Sequence, residues 1–403
     1  SKKKYLFDVI EQGNFYNNSW KFFPSQVMDE RFFDVDGAFV SHVHQDHYDP
    51  VFLRKLQKRK IPIYILNGRP NFNKLLKKEK INVRHIPYKK KFYINKDIWV
   101  YGCLHEYNDI DSSLIISNNN LSVYHGNDNF ITEKSLKPFK KKVGKVDIGC
   151  IPFAYINYYP YLLNGISKKE KLSEGRRLEN LFMDYGIRQA KILKPKIIVP
   201  FGSNLFQVDN PNSLMNKGVA TPVDFVEYAK KKHKKFSTNY KTMLSDSFCL
   251  KEKENGKILT FFENVKAKKF NLELKKFINY RRKKKNNTKG NGNYIKIDQK
   301  HLNFIRKKIS KNDNKLDHKI IVSSNKFKDK KILINLLNDN VSIYQKKELP
   351  NQCHYFTVEI NEFNDWLKGK ITFEEILGTR RFRYFRKPNI YRVEINQIYT
   401  NYL

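Results

Sequence analysis

The stretch that decides the fold reads Gly37-Ala38-Phe39-Val40-Ser41-His42-Val43-His44-Gln45-Asp46-His47-Tyr48-Asp49-Pro50. The apolar run Gly37–Val40 is typical of a short buried strand, and the histidines begin where it ends. In extended backbone, side chains two residues apart point the same way, so His42 and His44 can bind one ion. Asp46 and His47 lie past the turn and are predicted to face a second ion. Imidazole and carboxylate ligands favour zinc, iron or manganese, so the stretch predicts a metal centre.

Further candidate ligands follow later predicted strands. His105 ends one strand and Asp128 lies just beyond another, at positions where metal ligands collect in layered α/β proteins. A two-metal site needs a carboxylate between the ions. Asp46 in the histidine loop and Asp128 downstream are the candidate catalytic carboxylates. Asp8, after the apolar run 5–7, is predicted to orient the histidine loop by hydrogen bonds, and His125 is predicted to support a ligand rather than to be one.

Strands and helices alternate through about residue 250, which predicts a layered α/β domain with mixed sheets. A long helix is predicted over Lys168–Lys194, where Pro195 stops it, followed by a buried strand over Lys196–Phe201. The predicted division is a metal-binding domain over residues 1–265, a basic linker over 266–293 and a smaller α+β domain over 294–403. The chain does not begin with Met, and N-terminal strands are expected to be missing.

Two clusters are candidate ligand-binding surfaces. An aromatic segment after a predicted core strand offers sugar-stacking rings and an amide; its candidate substrate-binding residues are Tyr155, Asn157, Tyr158 and Tyr159. Filling of the core is the alternative for these rings. Near the C-terminus a basic group is suited to bidentate phosphate binding, and a solvated basic surface is the alternative; its members are Arg380, Arg381, Arg383 and Arg386.

Composition bounds the classes that remain. The chain has 403 residues, 40% of them hydrophobic and 29% charged, which excludes a disordered protein and predicts no membrane span. The net charge of +38 would suit nucleic acid, but the lysines are spread along the chain. Nucleic acid is therefore an alternative partner that is not favoured, and anionic small molecules are the expected substrates. The four cysteines are scattered, which excludes a thiolate zinc ribbon and makes the cytoplasm the expected location.

The HxHxDH run, with an earlier Asp, a later His and a later Asp, resembles the metallo-β-lactamase fold. The resemblance implies a four-layer αββα sandwich with one or two metal ions at one edge. It also divides the candidate ligands between the ions. These are His42, His44 and His105 for the first ion, Asp46 and His47 for the second, and Asp128 as the bridge.

Within that superfamily the chain most resembles the metal-binding domain of CMP-N-acetylneuraminate monooxygenase and its bacterial relatives. The segments that carry this resemblance are Ser41–His47 running into Phe52–Leu56, Ile61–Ile65, Leu193–Gly202, Ile376–Phe382 and Arg386–Tyr391. Two departures matter. The strand ending at Phe201 is followed by Gly202-Ser203-Asn204, where many members place a last histidine, and the chain lacks the Cys/His pairs of a Rieske [2Fe–2S] cluster.

The leading functional hypothesis is an oxygenase-like enzyme that hydroxylates an amino-sugar or nucleotide-sugar with iron, supplied with electrons by a separate donor. The first alternative is a zinc or iron hydrolase that cleaves a phosphodiester, lactone or amide with metal-bound hydroxide. A basic nucleic-acid-binding protein or nuclease is the second. A catalytically silent scaffold is disfavoured, because an idle site has no need for clustered, mutually repelling ligands.

Overall fold

The computed structural model describes residues 3–11, 13–23, 28–106, 110–118, 120–203, 205–210, 213–217, 219–242, 248–251, 258–261, 267–283, 293, 295–313, 315–326 and 330–403. The chain divides into two compact units. The first comprises residues 1–15, 21–156 and 176–283, and the second comprises 16–20, 157–175 and 284–403. No helix among the described residues is long and apolar enough to cross a membrane.

The first part of the chain alternates parallel strands with helices. Its elements are β1 (Tyr5–Phe7), β2 (Trp20–Phe22), β3 (Gly37–Val40), α1 (Pro50–Lys58), β4 (Ile63–Leu66), α2 (Pro70–Lys78) and β5 (Arg84–Ile86). Sheet I has the order β1-β3-β4-β5 with every pair parallel. Asp49 caps α1 by accepting hydrogen bonds from the N–H groups of Val51 and Phe52, and Pro50 occupies the first turn. The histidine loop therefore runs from the end of β3 into a capped helix.

A second sheet follows. Its elements and their neighbours are β6 (Phe92–Tyr93), β7 (Trp99–Leu104), β8 (Ser112–Ser117), β9 (Ser122–His125), α3 (Glu133–Val143), β10 (Ile148–Pro152), α4 (Lys168–Leu193), β11 (Ile197–Phe201), β12 (Leu205–Gln207) and α5 (Pro222–Lys232). Sheet II has the order β11-β10-β9-β8-β7-β6. Pairing is parallel from β9 to β11 and antiparallel from β6 to β9.

Three clusters of buried apolar side chains lie between these sheets and helices. Phe39 and Tyr64 of sheet I pack against Val100 and Leu114 of sheet II, so the two sheets face each other. The outer face of sheet I is covered by α1 and α2, and that of sheet II by α3, α4 and α5. The order helix, sheet, sheet, helix confirms the layered α/β domain that the sequence pattern predicts and the four-layer αββα sandwich that the resemblance implies.

The first unit continues into residues that were predicted to be a linker. A hairpin of β13 (Phe248–Lys251) and β14 (Ile258–Phe261) precedes α6 (Ala267–Lys283), which lies inside the predicted linker 266–293. Phe270 and Leu274 of α6 are buried against Phe206 and Val223. This apolar face is the physical reason for a helix there, although the linker prediction gave weight to the basic residues alone. Residues 284–292 of that linker lie outside the described residues.

The second unit is an α+β structure. Its elements are α7 (Gln299–Ile309), β15 (Lys319–Ser324), β16 (Lys331–Asn335), β17 (Asn340–Tyr344), β18 (Cys353–Val358), α8 (Ile360–Leu367), α9 (Phe373–Thr379), β19 (Phe382–Lys387) and α10 (Val393–Asn401). Sheet III has the order β17-β16-β15-β18-β19. Only β15 and β18 pair in parallel among its strands. The predicted domain boundaries at residues 265 and 294 stay predictions.

Candidate metal centre

Strand direction brings the candidate site residues to one edge of the sandwich. The parallel strands β1 and β3 end together, so Asp8 lies beside the start of the histidine loop. In sheet II, β7, β9, β10 and β11 end at the edge where β8 begins. The Ser112 hydroxyl donates a hydrogen bond to the Ser41 carbonyl oxygen at 2.8 Å, which joins the two edges. The loops after these strands therefore share one region.

His42 lies at the centre of this region, with 0% of its surface exposed. Its Nε2 is 2.8 Å from Nδ1 of His44 and 3.8 Å from a carboxylate oxygen of Asp111. The ligand atoms of His42, His44 and Asp111 all lie within 4.8 Å of one another. These three side chains form a first group of candidate ligands.

His47 belongs to a second group, which also includes His42. The two rings are 4.1 Å apart between centroids. His47 Nε2 is 3.4 Å from an oxygen of Asp128 and 3.8 Å from an oxygen of Asp46. The ligand atoms of His42, His47 and Asp128 also lie within 4.8 Å of one another.

Asp8 holds the loop from behind. Its carboxylate accepts hydrogen bonds from the Ser41 N–H at 2.7 Å and the Ser41 hydroxyl at 2.6 Å, and lies 2.9 Å from His47 Nδ1. Because the Ser41 hydroxyl donates to Asp8, it accepts from His42 Nδ1, which is 2.8 Å away. The Nδ1 atoms of both histidines are thereby engaged, and their Nε2 atoms are left to bind an ion.

Arg69 is a supporting residue that the sequence reasoning missed. Its side chain is buried, with 2% exposure, and donates to backbone carbonyl oxygens of three separate segments. The acceptors are Leu66 at 3.1 Å, Ile110 at 3.2 Å and Ser41. Ser41 precedes His42 and Ile110 precedes Asp111. One guanidinium therefore holds the backbone beside two members of the first ligand group, His42 and Asp111. An arginine between a strand and a helix looks like an ordinary surface residue in the sequence, so only its burial reveals this role.

The electrostatics of the cluster are uneven. Burial, together with His47, His44 and Arg69, holds the pKa of His42 well below its usual range, so its imidazole is neutral, the form that binds a metal. Burial disfavours a charge on His47 too, but Asp128 and Asp46 outweigh it and raise the pKa of His47 well above its usual range. Burial likewise opposes ionisation of Asp128, yet the attraction to His47 lowers its pKa. His47 and Asp128 are therefore an ion pair, with 3.4 Å between Nε2 and the carboxylate oxygen.

Two other predicted residues occupy the same edge. His125 ends β9 and stacks on Phe7, with ring centroids 4.8 Å apart, and burial lowers its pKa to about 4. His105 directly follows β7, and its N–H donates to the Asp111 carbonyl oxygen at 2.9 Å. Within the described part of the chain, neither group of converging ligand atoms includes His105 or Asp46. Their roles as metal ligands stay predictions.

Asp111 is the ligand candidate that the sequence reasoning missed. It immediately precedes β8, which starts at Ser112. Its position opposite the end of β7 depends on the pairing of these two strands. In the sequence, the only indication of this role was an acidic residue just before an apolar strand. Acidic residues also occur at the ends of many ordinary loops.

The turn after β11 stands where many members of the resembled family place a histidine. Gly202 has φ of +101°, in the left-handed region that favours glycine. A Cβ atom built on Gly202 would lie 3.9 Å from an oxygen of Asp128. The backbone of this turn therefore passes beside the second ligand group, and Gly202 adds no side chain to it.

The predicted substrate residues fall into different surroundings. Tyr155 is exposed, and its ring packs on Phe182 in the first unit, 5.2 Å away between centroids. In the second unit, the Asn157 side chain accepts from the Tyr159 N–H at 3.0 Å. The Tyr158 ring contacts Tyr384 at 5.1 Å, as expected for a core-filling ring. Substrate binding by these four residues stays a prediction.

The donor set fits a metal ion. Each group combines two imidazoles with one carboxylate, and these ligands suit zinc and iron. The His42 ring is neutral, which is the form that binds a metal. Hydrogen bonds at Nδ1 of His42 and His47 are of the kind that orients metal-binding histidines. The groups share His42, whose Nδ1 is hydrogen-bonded to the Ser41 hydroxyl, so only its Nε2 is left for an ion. One nitrogen binds one ion, and the two groups therefore cannot each hold an ion through His42.

No protein-family model matches this sequence, and no curated protein sequence matches it. Among solved structures, the chain is similar to isothiocyanate hydrolase from Delia radicum gut bacteria, at 13% identity and a TM-score of 0.42, with 65% of this chain and 94% of that chain covered. It is also similar to CmlA, a diiron β-hydroxylase from Streptomyces venezuelae, at 14% identity, a TM-score of 0.36 and coverage of 52% and 44%. A third is YhfI from Bacillus subtilis, a metallo-β-lactamase fold protein, at 12% identity, a TM-score of 0.32 and coverage of 56% and 78%. This chain spans less than half of the CmlA chain, and both a hydrolase and a hydroxylase are among these neighbours.

Proposed function

We propose that this chain is a metal-dependent enzyme that hydroxylates an amino-sugar or nucleotide-sugar, with one iron ion held through His42. The observation that carries the proposal is the composition of both ligand groups, two histidines and one carboxylate each. That composition is the one used by non-haem iron oxygenases, in which the iron keeps open positions for O₂ and substrate. In the proposal, electrons come from a separate donor.

The chain's own residues would supply binding and proton handling. The buried, neutral His42 donates to the Ser41 hydroxyl, and His47 Nδ1 faces the Asp8 carboxylate, so these two contacts would keep the ligand rings fixed. The His47–Asp128 ion pair holds a proton beside the ligands, at 3.4 Å between Nε2 and the carboxylate oxygen. The net charge of +38 favours the approach of an anionic sugar, and the exposed Tyr155 ring offers a stacking surface.

A hydrolase is the second candidate, and the same ion pair favours it. In this pair His47 already carries a proton, so the Asp128 carboxylate would be the group that accepts a proton from a water molecule held at the centre, as general-base catalysis requires. A bound zinc ion would supply the Lewis acidity for attack on a phosphodiester, lactone or amide.

Metal analysis and O₂ uptake together separate these candidates. The full chain would be purified without a metal-chelating tag, its metals measured by mass spectrometry, and its O₂ consumption followed with a chemical reductant and a panel of sugars and nucleotide-sugars. About one iron per chain and sugar-dependent O₂ uptake would support the oxygenase. Zinc, hydrolysis of a test ester or phosphodiester and no O₂ uptake would replace it with the hydrolase.

A nuclease or nucleic-acid-binding function is the remaining alternative, suggested by the charge of +38. It would show as nucleic-acid affinity that falls steeply with salt, because each phosphate contact releases counterions. Binding that is weak at physiological salt would remove this alternative.

A further inference from the structure

Strand β19 of the second unit carries a charge where its pattern calls for an apolar residue. Phe382, Tyr384 and Arg386 alternate with exposed Arg383 and Lys387, so the first three side chains share the buried face of the strand. Arg386 is 7% exposed. An arginine at an inward position loses hydration, and it is destabilising there unless other groups compensate its charge.

The compensation in the structure is incomplete. Arg386 Nε donates to the Asn389 side chain at 2.6 Å, and the guanidinium lies 4.6 Å from the centre of the Tyr159 ring. Among the described residues, no carboxylate forms an ion pair with Arg386. Because its partner Asn389 is exposed, the guanidinium lies at the margin of the core. A buried cation that faces an aromatic ring and lacks an anion is a binding group for an anion.

The side chains around Arg386 add unused hydrogen-bonding groups. Arg386 is the direct cross-strand partner of His354, whose ring is 4.8 Å from that of His318. His318 is 1% exposed, and neither of its ring nitrogens has a hydrogen-bond partner in the described part of the chain. The buried Tyr384 hydroxyl likewise has none there. Leaving such buried groups unpaired is destabilising, so their clustering calls for a partner.

The local electrostatics favour a negatively charged partner. Burial and the positive charges of Arg386 and Arg392, with His318, lower the pKa of His354 to about 3. Burial and Arg392 lower the pKa of His318 to about 4. Both rings are therefore neutral at pH 7. His318 has one N–H to donate, whereas Nδ1 of His354 is already engaged with the Tyr399 hydroxyl. Arg386 and Tyr384 are donors as well, so the cluster is rich in donors and positive in charge.

We propose that the second unit binds a small oxyanion, the phosphate or carboxylate group of a metabolite, with Arg386 as its charged ligand, Tyr384 as a neutral donor and the His318–His354 pair behind them. The ion supplies the charge that Arg386 lacks and an acceptor for the Tyr384 hydroxyl. This site is separate from the metal chemistry proposed above and does not depend on it.

The test uses thermal unfolding and calorimetric titration of the full chain. Inorganic phosphate and succinate are the two probes, with sodium chloride at matched ionic strength as the reference. At least one probe is expected to raise the unfolding temperature beyond the chloride reference, because a ligand that binds only the folded state stabilises it. A response to phosphate alone assigns a phosphate site, and a response to succinate alone assigns a carboxylate site.

Two variants and one control connect the response to the cluster. Arg386→Met removes the charge at similar volume and is expected to weaken binding by roughly 10-fold or more, since a charge-assisted hydrogen bond is lost. Without ligand its unfolding temperature is expected to equal or exceed that of the wild type, because an unpaired buried charge is removed. Tyr384→Phe keeps the ring and is expected to weaken binding by roughly 5-fold. Arg383→Gln, on the exposed face of the same strand, is expected to bind like the wild type.

Three results would overturn the proposal. The first is a wild type that responds to neither probe beyond the chloride reference. The second is Arg386→Met that binds as tightly as Arg383→Gln. If Arg386→Met does not fold, Tyr384→Phe decides, and its binding at wild-type affinity is the third.

Discussion

Replacing Asp8 by asparagine is expected to weaken metal binding and to leave the fold intact. Asparagine has nearly the same shape and keeps one oxygen to accept from the Ser41 N–H, now 2.7 Å from the carboxylate. The oxygen that faces His47 Nδ1 at 2.9 Å becomes an amide N–H₂, so two donors oppose each other. The loss of one charge-assisted hydrogen bond is worth about 1.5–3 kcal/mol. Removing such a support from a metal-binding histidine typically weakens metal affinity by about 10–100-fold, and that is the expected loss.

The assay is a competition titration of the apoprotein with zinc or iron(II) and a chromophoric chelator, beside urea unfolding of the same samples. Asp36→Asn is the matched control, because Asp36 also accepts a backbone N–H, from Lys4 at 2.9 Å, but lies in an ion pair with Lys3 at the surface. It is expected to bind metal like the wild type. Unchanged affinity in folded Asp8→Asn would show that Asp8 does not position the metal ligands.

The remaining predictions concern the ligands, their support and the second unit. His44→Ala should lose the bound metal while unfolding at nearly the urea concentration of the wild type. The control His85→Ala, at an exposed histidine, should keep both the metal and the wild-type unfolding midpoint. If His44→Ala retains the metal, His44 is not a ligand. Arg69→Met should cost about 3–5 kcal/mol in urea unfolding, because three buried carbonyl groups lose a charged donor, and a loss below that of an ordinary surface substitution would contradict its supporting role. For His318 and His354 the pKa is about 4 and about 3 when folded, against 6.5 for the ordinary group, so the unfolded chain takes up protons that the folded chain excludes. Stability contributed by the neutral rings should thus be present above pH 6.5 and fall by up to about 1.4 kcal/mol per pH unit for each ring as the pH drops below it. Urea unfolding of the metal-free protein between pH 7 and pH 5 measures this slope, which should be shallower in His318→Phe and unchanged in His85→Gln.

The layers of the first unit and the position of the histidine loop could be predicted because the sequence patterns that indicate them are local. An apolar run, a polar turn and a proline at the start of a helix define β3, the loop and α1 within about 20 residues. Similarly, β11 occupies Ile197–Phe201, within the buried strand predicted over Lys196–Phe201. Asp8 was expected to orient the loop, and it is seen bonding to Ser41 and facing His47.

What could not be predicted depends on contacts between distant segments. Asp111 reaches His42 only because β7 and β8 pair in one register. Arg69 and Arg386 are basic residues in loop and strand positions that are usually solvated, and their burial is set by what packs over them. In α6 the spacing of Phe270 and Leu274 was a helical signal, but the basic run after it drew the prediction toward a linker.

The guanidinium of Arg69 has a consequence for protein engineering. The carbonyl groups of Ser41, Leu66 and Ile110 belong to three segments that are far apart in sequence, and this one side chain binds all of them. A designer who transplants the histidine motif alone into another scaffold would copy the ligands without the arginine whose hydrogen bonds set their spacing. We expect a working graft to need the residue equivalent to Arg69 and an acceptor next to Asp111, so the smallest transferable module is discontinuous.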